Sequence, residues 1–284
     1  SFGYDGTQSS KSWFGNHNVN GKLNFGKSEI SFYYGTNQQY FEELWYKRTE
    51  TFTFEDGSQY HRHQQTEPVY SKGYDGNGGL TYNLQDGNKY MLNITAKLNH
   101  GADPTREEKG KLYTEEYPEL VTDRIDMYHS SDFTPSLDIY YQRNLKNKQF
   151  LAFNAVGTYM RTTRQSQYKE FLNNEPIVDY TSSVKGKKYS LIAEGIYEKS
   201  FANGGRLNTG IKHMQSYTNN LYDGTLFYHT QMRQAVSYGY VQYNGKWQKL
   251  RYGFGVGATR SWFHQDGQKE YEKWSFNPRF NLSY

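Results

Sequence analysis

The run from Phe133 to Met160, FTPSLDIYYQRNLKNKQFLAFNAVGTYM, alternates apolar and polar residues without a break in either half. Leu137, Ile139 and Tyr141 fall on one side, with Ser136, Asp138 and Gln142 on the other. Leu151, Phe153, Ala155, Gly157 and Tyr159 then oppose Ala152, Asn154 and Thr158. A period of two is the side-chain period of a strand, not of a helix. Arg143-Asn144-Leu145-Lys146-Asn147-Lys148 between the halves is a short polar connection of the kind that closes a hairpin. Such a ribbon is oily on one face and wet on the other. A soluble sandwich and a membrane barrel both satisfy that description.

Composition narrows the choice. Only 35% of the 284 residues are hydrophobic, and the mean hydropathy is −1.00. Disordered chains are equally polar but poor in aromatics. This chain is 18% aromatic, with 29 Tyr, 17 Phe and 5 Trp. A barrel with a wet lumen is both polar and aromatic, because half of each strand faces water and aromatic girdles mark the interfaces. Cysteine is absent, which excludes a disulfide framework and thiolate metal sites. The net charge of +4 is mixed in sign along the chain, without the basic cluster of a nucleic-acid footprint. No apolar run approaches the roughly 18 residues of a membrane helix. No secretion signal is legible at Ser1, and the missing initial Met reads as a mature chain or an excised fragment.

Residues 1–16 read as a loop. Val19, Gly21, Leu23 and Phe25 then alternate with polar residues up to a tight turn at Gly26-Lys27-Ser28, and Ile30, Phe32 and Tyr34 follow. A charged segment, 36–70, has no clean period. Leu80, Tyr82 and Leu84 lead through Gln85-Asp86-Gly87-Asn88 to Tyr90, Leu92, Ile94, Ala96 and Leu98. A second charged segment, 100–130, precedes the hairpin described above. Residues 162–185 are polar again, and then Tyr189, Leu191, Ala193, Gly195 and Tyr197 share a face. The turn Ala202-Asn203-Gly204-Gly205 leads to Leu207, Thr209 and Ile211. After an excursion at 216–228, Val241 and Tyr243 approach a turn at Asn244-Gly245-Lys246. Leu250, Tyr252, Phe254, Val256 and Ala258 come next, and the chain closes on Trp274, Phe276, Pro278, Phe280, Leu282 and Tyr284.

This is an all-β chain of about eleven strands, joined alternately by tight turns and long loops. Outer-membrane barrels put short turns on the periplasmic side and long loops outside, whereas sandwiches mix loop lengths at both ends. The pattern therefore predicts one domain over residues 1–284: an antiparallel up-and-down transmembrane β-barrel. An odd number of strands does not fit the even count of single-chain bacterial barrels, and an open edge in lipid leaves backbone groups unsatisfied. The expectation is therefore part of a larger barrel.

Ser136-Leu137-Asp138-Ile139-Tyr140-Tyr141-Gln142-Arg143-Asn144-Leu145, Phe153-Asn154-Ala155-Val156-Gly157-Thr158-Tyr159 and the terminal Phe276-Asn277-Pro278-Arg279-Phe280-Asn281-Leu282-Ser283-Tyr284 resemble the barrel of Bacteroidetes outer-membrane receptors of the TonB-dependent type. The resemblance covers most of the chain as a run of hairpins. It implies a 22-stranded barrel with a plugged lumen, location in the bacterial outer membrane, and import of a scarce ligand driven by the proton-motive force. It also implies contacts with outer-membrane lipid, a plug domain and TonB. Neither the plug nor the TonB-contacting segment has a counterpart in these residues. A passive porin, a surface adhesin and a soluble all-β binding module are the alternatives.

No catalytic, cofactor-binding or metal-binding residue is assigned. Gly253-Phe254-Gly255-Val256-Gly257-Ala258 matches the dinucleotide fingerprint, but its glycines lie along a continuing strand and lack the helix the fingerprint needs. They are expected to leave lumen space for a plug or loop to approach. His61, His63 and Glu67 have no third ligand at a recognised spacing and are expected in a solvated loop. Asp-Gly at Asp5, Asp56, Asp75, Asp86, Asp223 and Asp266 lacks the calcium-loop ligand set and reads as turns. The acidic run from Arg106-Glu107-Glu108 to Glu115-Glu116 lacks the fixed separation of a glycosidase pair. Nothing marks Ser261 and His264 as a hydrolase couple. The sequons Asn93-Ile94-Thr95 and Asn281-Leu282-Ser283 lie on strands. The chain is read as a non-enzyme that binds a small ligand through outer loops and lumen-facing polar residues. Sugars, peptides and chelated iron suit its aromatics and mixed charge equally.

Overall fold

The computed structural model describes residues 1–10 and 14–284. The described residues are all-β and form a single antiparallel sheet, with no helix among them. Its fourteen strands are β1 (Phe2–Gln8), β2 (Gly15–Phe25), β3 (Ser28–Leu44), β4 (Lys47–Thr53), β5 (Gln59–Thr66), β6 (Val69–Asp86), β7 (Tyr90–Thr114), β8 (Thr122–Leu145), β9 (Gln149–Leu172), β10 (Glu175–Ser200), β11 (Arg206–Gly224), β12 (Tyr228–Trp247), β13 (Leu250–Gln265) and β14 (Tyr271–Ser283). Twelve run in the order β1-β2-β3-β6-β7-β8-β9-β10-β11-β12-β13-β14. β4 and β5 form a hairpin within the β3–β6 connection, and β5 pairs with β7.

The eleven expected strands are β2, β3 and β6 to β14. The other three lie in segments without an apolar alternation. Residues 1–16 are not a loop: β1 pairs with β2 from Phe2↔Gly21 to Gln8↔Gly15, although residues 11–13 lie outside the described residues. The charged segment 36–70 holds the end of β3, all of β4 and β5, and the start of β6. The described residues thus form fourteen strands, three more than the apolar alternation reveals.

The long loops are also corrected. Segments 100–130, 162–185 and 216–228 are mostly continuations of β7 to β12, which reach 26 residues in β10. At roughly 3.3 Å per residue, β10 is about 85 Å long. β9 meets β10 through two residues only, Asn173 (φ 52°) and Asn174 (φ 68°). Positive φ at both is the signature of the tightest hairpin turn. Tight turns therefore occur at both ends, and loop length no longer separates the two architectures.

At the other end the expected turns fall close to their places, with 146–148 between β8 and β9 and 87–89 between β6 and β7. One moves: β12 continues through Asn244-Gly245-Lys246 to Trp247, and Gln248 (φ 53°) begins the turn. Gly245 is there for a close approach instead, because a Cβ on it would lie 2.3 Å from the Tyr252 ring.

The sheet is one layer, in which strands contact the strands hydrogen-bonded to them. Its buried apolar residues are Leu112 and Ala152. A sandwich would bury its apolar alternation between two sheets; none covers this one.

Candidate functional site

Register decides whether the separate apolar alternations form one surface. Directly opposed residues of an antiparallel pair share a face. Leu92 lies between Leu84 and Tyr141, and Ile94 between Tyr82 and Ile139. Leu137, Gly157 and Leu191 follow one another across β8, β9 and β10. Four residues along β10, Gly195 begins a second row on the same face, through Ile211, Gly239 and Ala258 to Phe276 on β14, with Tyr243, Phe254 and Phe280 beneath. All the apolar sets read from the sequence thus join in one belt. Along β7 it runs from Tyr90 to Leu98, nine residues, which matches the 9–11 of a membrane-crossing strand. The belt is exposed: Phe254 retains 52% of its accessible surface and Phe280 74%.

Aromatic rings border the belt. On the side toward the strand extensions, Tyr159 and Tyr189 lie 4.8 Å apart between centroids, and Tyr189 and Tyr217 6.3 Å. Arg233 sits 5.5 Å over the Tyr217 ring. At the opposite border Tyr252 stacks on Phe254 at 5.9 Å. Rings with an apolar body and a polar tip suit a boundary between oil and water.

The reverse face of the same strands carries hydrogen-bonded polar side chains. Asn93 donates to Asn83 Oδ1 at 2.5 Å, Asn83 donates to Glu29 Oε1 at 3.3 Å, and the Thr81 and Thr95 hydroxyls meet at 3.2 Å. The glycines of 253–258 lie on this face of β13, mid-strand, with no helix following. A Cβ on Gly253 would lie 2.0 Å from Asn281 Oδ1, and one on Gly257 2.8 Å from the Tyr238 ring. The chain's own neighbours fill the space expected for a plug or loop.

A charged cluster occupies the continuation of this face beyond the belt. Register places Glu108, Asp126 and Tyr168 in one row and Gly110, Arg124 and Glu170 in the next. Glu108 and Arg124 are 5% and 8% exposed, among the most buried side chains described. Arg106 donates to Glu108 Oε1 at 2.8 Å, Tyr46 donates its hydroxyl to Oε2 at 2.6 Å, and Arg124 Nη2 lies 3.5 Å from Oε2. Arg124 also pairs with Asp126 at 2.5 Å and lies 5.4 Å over Tyr168, whose hydroxyl donates to Glu170. Burial alone would raise the Glu108 carboxyl, but the Tyr46 and Arg106 hydrogen bonds and the Arg106 and Arg124 charges outweigh it and hold the pKa down. Burial and the Glu170 contact push the Tyr168 phenol well up.

The hairpin of β4 and β5 closes this cluster. Arg62 Nη2 pairs with Glu50 at 2.5 Å, and Gln64 donates to the Tyr46 hydroxyl at 3.1 Å. Gly110 permits the approach, since a Cβ there would lie 2.3 Å from the Gln65 carbonyl oxygen.

His61 and His63 are on β5 and not in a loop. His63 contacts Thr49 Oγ1 at 3.0 Å through Nδ1 and Glu115 Oε1 at 3.1 Å through Nε2, while His61 contacts Thr51 at 3.1 Å. Glu67 does not join them, and no metal-ligand cluster occurs among the described residues. Asp56, Asp86 and Asp266 precede positive-φ glycines in turns, whereas Asp5, Asp75 and Asp223 lie within β1, β6 and β11. Gly76 lets His100 and Tyr34 pack together over the sheet, their polar atoms 3.0 Å apart. Glu107 and Glu108 point to opposite faces of β7, as Ser261 and His264 do on β13, so neither couple is assembled. Asn93 and Asn281 are strand residues.

Tyr46, Gln64, Arg124 and Tyr168 escape sequence reasoning. The Arg and carboxylate residues spaced two apart at Arg48/Glu50, Arg106/Glu108 and Arg124/Asp126 carry the signal, same-face charge pairs on a strand. Comparison with protein-family models and with curated proteins returns no match.

Proposed function

We propose that this chain forms wall of an outer-membrane β-barrel receptor of the TonB-dependent type, which binds a small ligand at its polar face and imports it. The observation that carries the reading is the exposed apolar belt, nine residues tall on β7 and continuous across eleven strands. In water so large an apolar surface is a liability; in a bilayer it is the lipid contact. The tight turns beside the belt then face the periplasm, and the strand extensions stand outside the cell. The polar ladder lines the lumen, and the cluster around Glu108 stiffens the outer rim where ligand arrives. The resemblance of the strand phrases supports the receptor type and its partners, a plug and TonB. The role is binding and transport without catalysis.

Uptake by cells carrying the protein tests this reading. A protonophore abolishes accumulation by a TonB-dependent receptor and leaves diffusion through a passive porin intact. Recovery of the protein from the soluble fraction, monodisperse without detergent, contradicts both.

A further inference from the structure

The reverse face of the belt is a polar ladder up to β8, but from β9 to β12 its character changes. The row of Thr81, Thr95 and Asp138 continues as Val156, Ile192, Met214 and Val236. These four aliphatic side chains are half-buried. Four residues along the strands, Ala152 and Ile196 lead through Gly210 to Tyr240. Tyr240 lies over Gly210, where a Cβ would come within 2.5 Å of its ring, and stacks on Tyr238 at 5.6 Å.

One polar row separates the two apolar ones: Asn154, Glu194, Lys212 and Tyr238. Glu194 and Lys212 are directly opposed on β10 and β11. Neither enters an ion pair among the described residues. Opposed side chains have their Cβ atoms about 5 Å apart. An acid and a base thus stand side by side between two apolar strips, each open to an external partner.

We propose that this part of the reverse face binds a short peptide with apolar side chains. The inference rests on the receptor reading above and names its substrate class. Ile192 and Ile196 are four positions apart, roughly 13 Å, the spacing of the first and fifth side chains of an extended peptide. Apolar side chains settle on the two strips, where their burial is favourable. The peptide's N-terminal ammonium meets Glu194, and Lys212 donates to a peptide carbonyl. A sugar would set hydroxyls against Ile192, Met214 and Val236, which cannot hydrogen-bond them. An anionic iron chelate would meet the carboxylates of Glu194 and Glu198, which share that face of β10. Peptide chemistry fits where the other two do not.

Calorimetric titration of the full protein in detergent micelles tests this. The probes are Ile-Ser-Ala-Ser-Ile, its N-acetylated form, Ser-Ser-Ala-Ser-Ser, a maltooligosaccharide and a ferric catecholate. The first peptide is expected to bind about tenfold tighter than the serine peptide, and roughly threefold tighter than its acetylated form. Glu194→Gln abolishes the preference for the free terminus and keeps the apolar one. Ile196→Ser and Met214→Ser do the reverse, and Lys27→Gln, in the turn between β2 and β3, changes nothing. Equal affinity for the two free peptides, tighter binding of saccharide or iron chelate, or indifference to Glu194→Gln and Ile196→Ser overturns the assignment. So does the absence of any titration, the result if another segment of the polypeptide covers the strips. Flotation of the same preparation with liposomes separates the two readings. Flotation without peptide preference removes only the peptide site, and no flotation removes the membrane reading as well.

Discussion

The two halves of β7 to β10 have one backbone and two kinds of face. In the belt, apolar residues such as Leu92 and Ile94 oppose polar ones such as Asn93 and Thr95, and the oily side is uncovered. In the extensions both faces are polar, and what little is buried is Glu108, Arg124, Gln64, Thr66 and Leu112. Tyrosine shows the contrast in one residue type. Tyr189 lies on the apolar face against two other rings, while Tyr168 lies on the reverse face beneath Arg124 and bonded to Glu170. The β7–β8 and β9–β10 ladders extend through both regions, interrupted at Asp103/Arg106 and at Pro176/Val178. The regions therefore differ in the chemistry of their faces. The belt carries one uncovered apolar face; the extensions are held by the ladder and by charge pairing.

The contrast breaks most readily at the charged cluster. Arg124→Ala leaves buried Glu108 short of a cation and is expected to cost about 3–5 kcal/mol locally. Amide exchange should accelerate in 106–114 and 122–128 and stay unchanged in the belt. Acid acts in the same direction. The Glu108 carboxyl is held below its ordinary value, so its stabilisation is complete above the unfolded carboxylate pKa, about 4.3, and is lost as pH falls through the folded one. Protection at the far end, taken relative to the intrinsic exchange rate at each pH, should therefore fall below about pH 4, before the belt responds. Uniform protection across both regions at that pH would remove the distinction.

Leu92→Arg comes next. In a bilayer it should destabilise by roughly 2–4 kcal/mol near the midplane, read from denaturant unfolding out of liposomes. Asn93→Arg, its neighbour on the polar face, should have a much smaller effect. Equal tolerance of the two substitutions contradicts the assignment of faces. Gly110→Ala is the smallest of the three, about 1–3 kcal/mol from overpacking against Gln65. It should loosen the β4–β5 hairpin, seen as faster proteolysis between Thr53 and Gln59, without altering membrane insertion.

The belt is legible in the sequence because one face of each strand is written in apolar residues at every second position. Leu92, Ile94, Ala96 and Leu98 announce themselves and place the start of β7, but not its end sixteen residues further on at Thr114. The extensions are not legible in this way. With water on both faces, a strand such as 162–172 carries no hydropathy period, and a polar stretch reads as a loop. Asn173-Asn174 hides a two-residue turn at the centre of such a stretch. The Glu108 cluster depends on a bulge between Asp103 and Arg106, which moves the even-numbered residues of β7 to the other face. No alternation count crosses that bulge correctly. The dipeptide Asn244-Gly245 misleads for a further reason, since glycine is needed there by the Tyr252 ring and not by a turn.

The chain's lack of cysteine permits a clean test of the central claim. Single cysteines at Leu92, Asn93, Ile94 and Thr95, labelled with a polarity-sensitive fluorophore in liposome-inserted protein, report the environment of each face in turn. Blue-shifted emission quenched by lipid-borne quenchers at 92 and 94, alternating with water-quenched emission at 93 and 95, is the predicted result. The same emission at all four positions would contradict it.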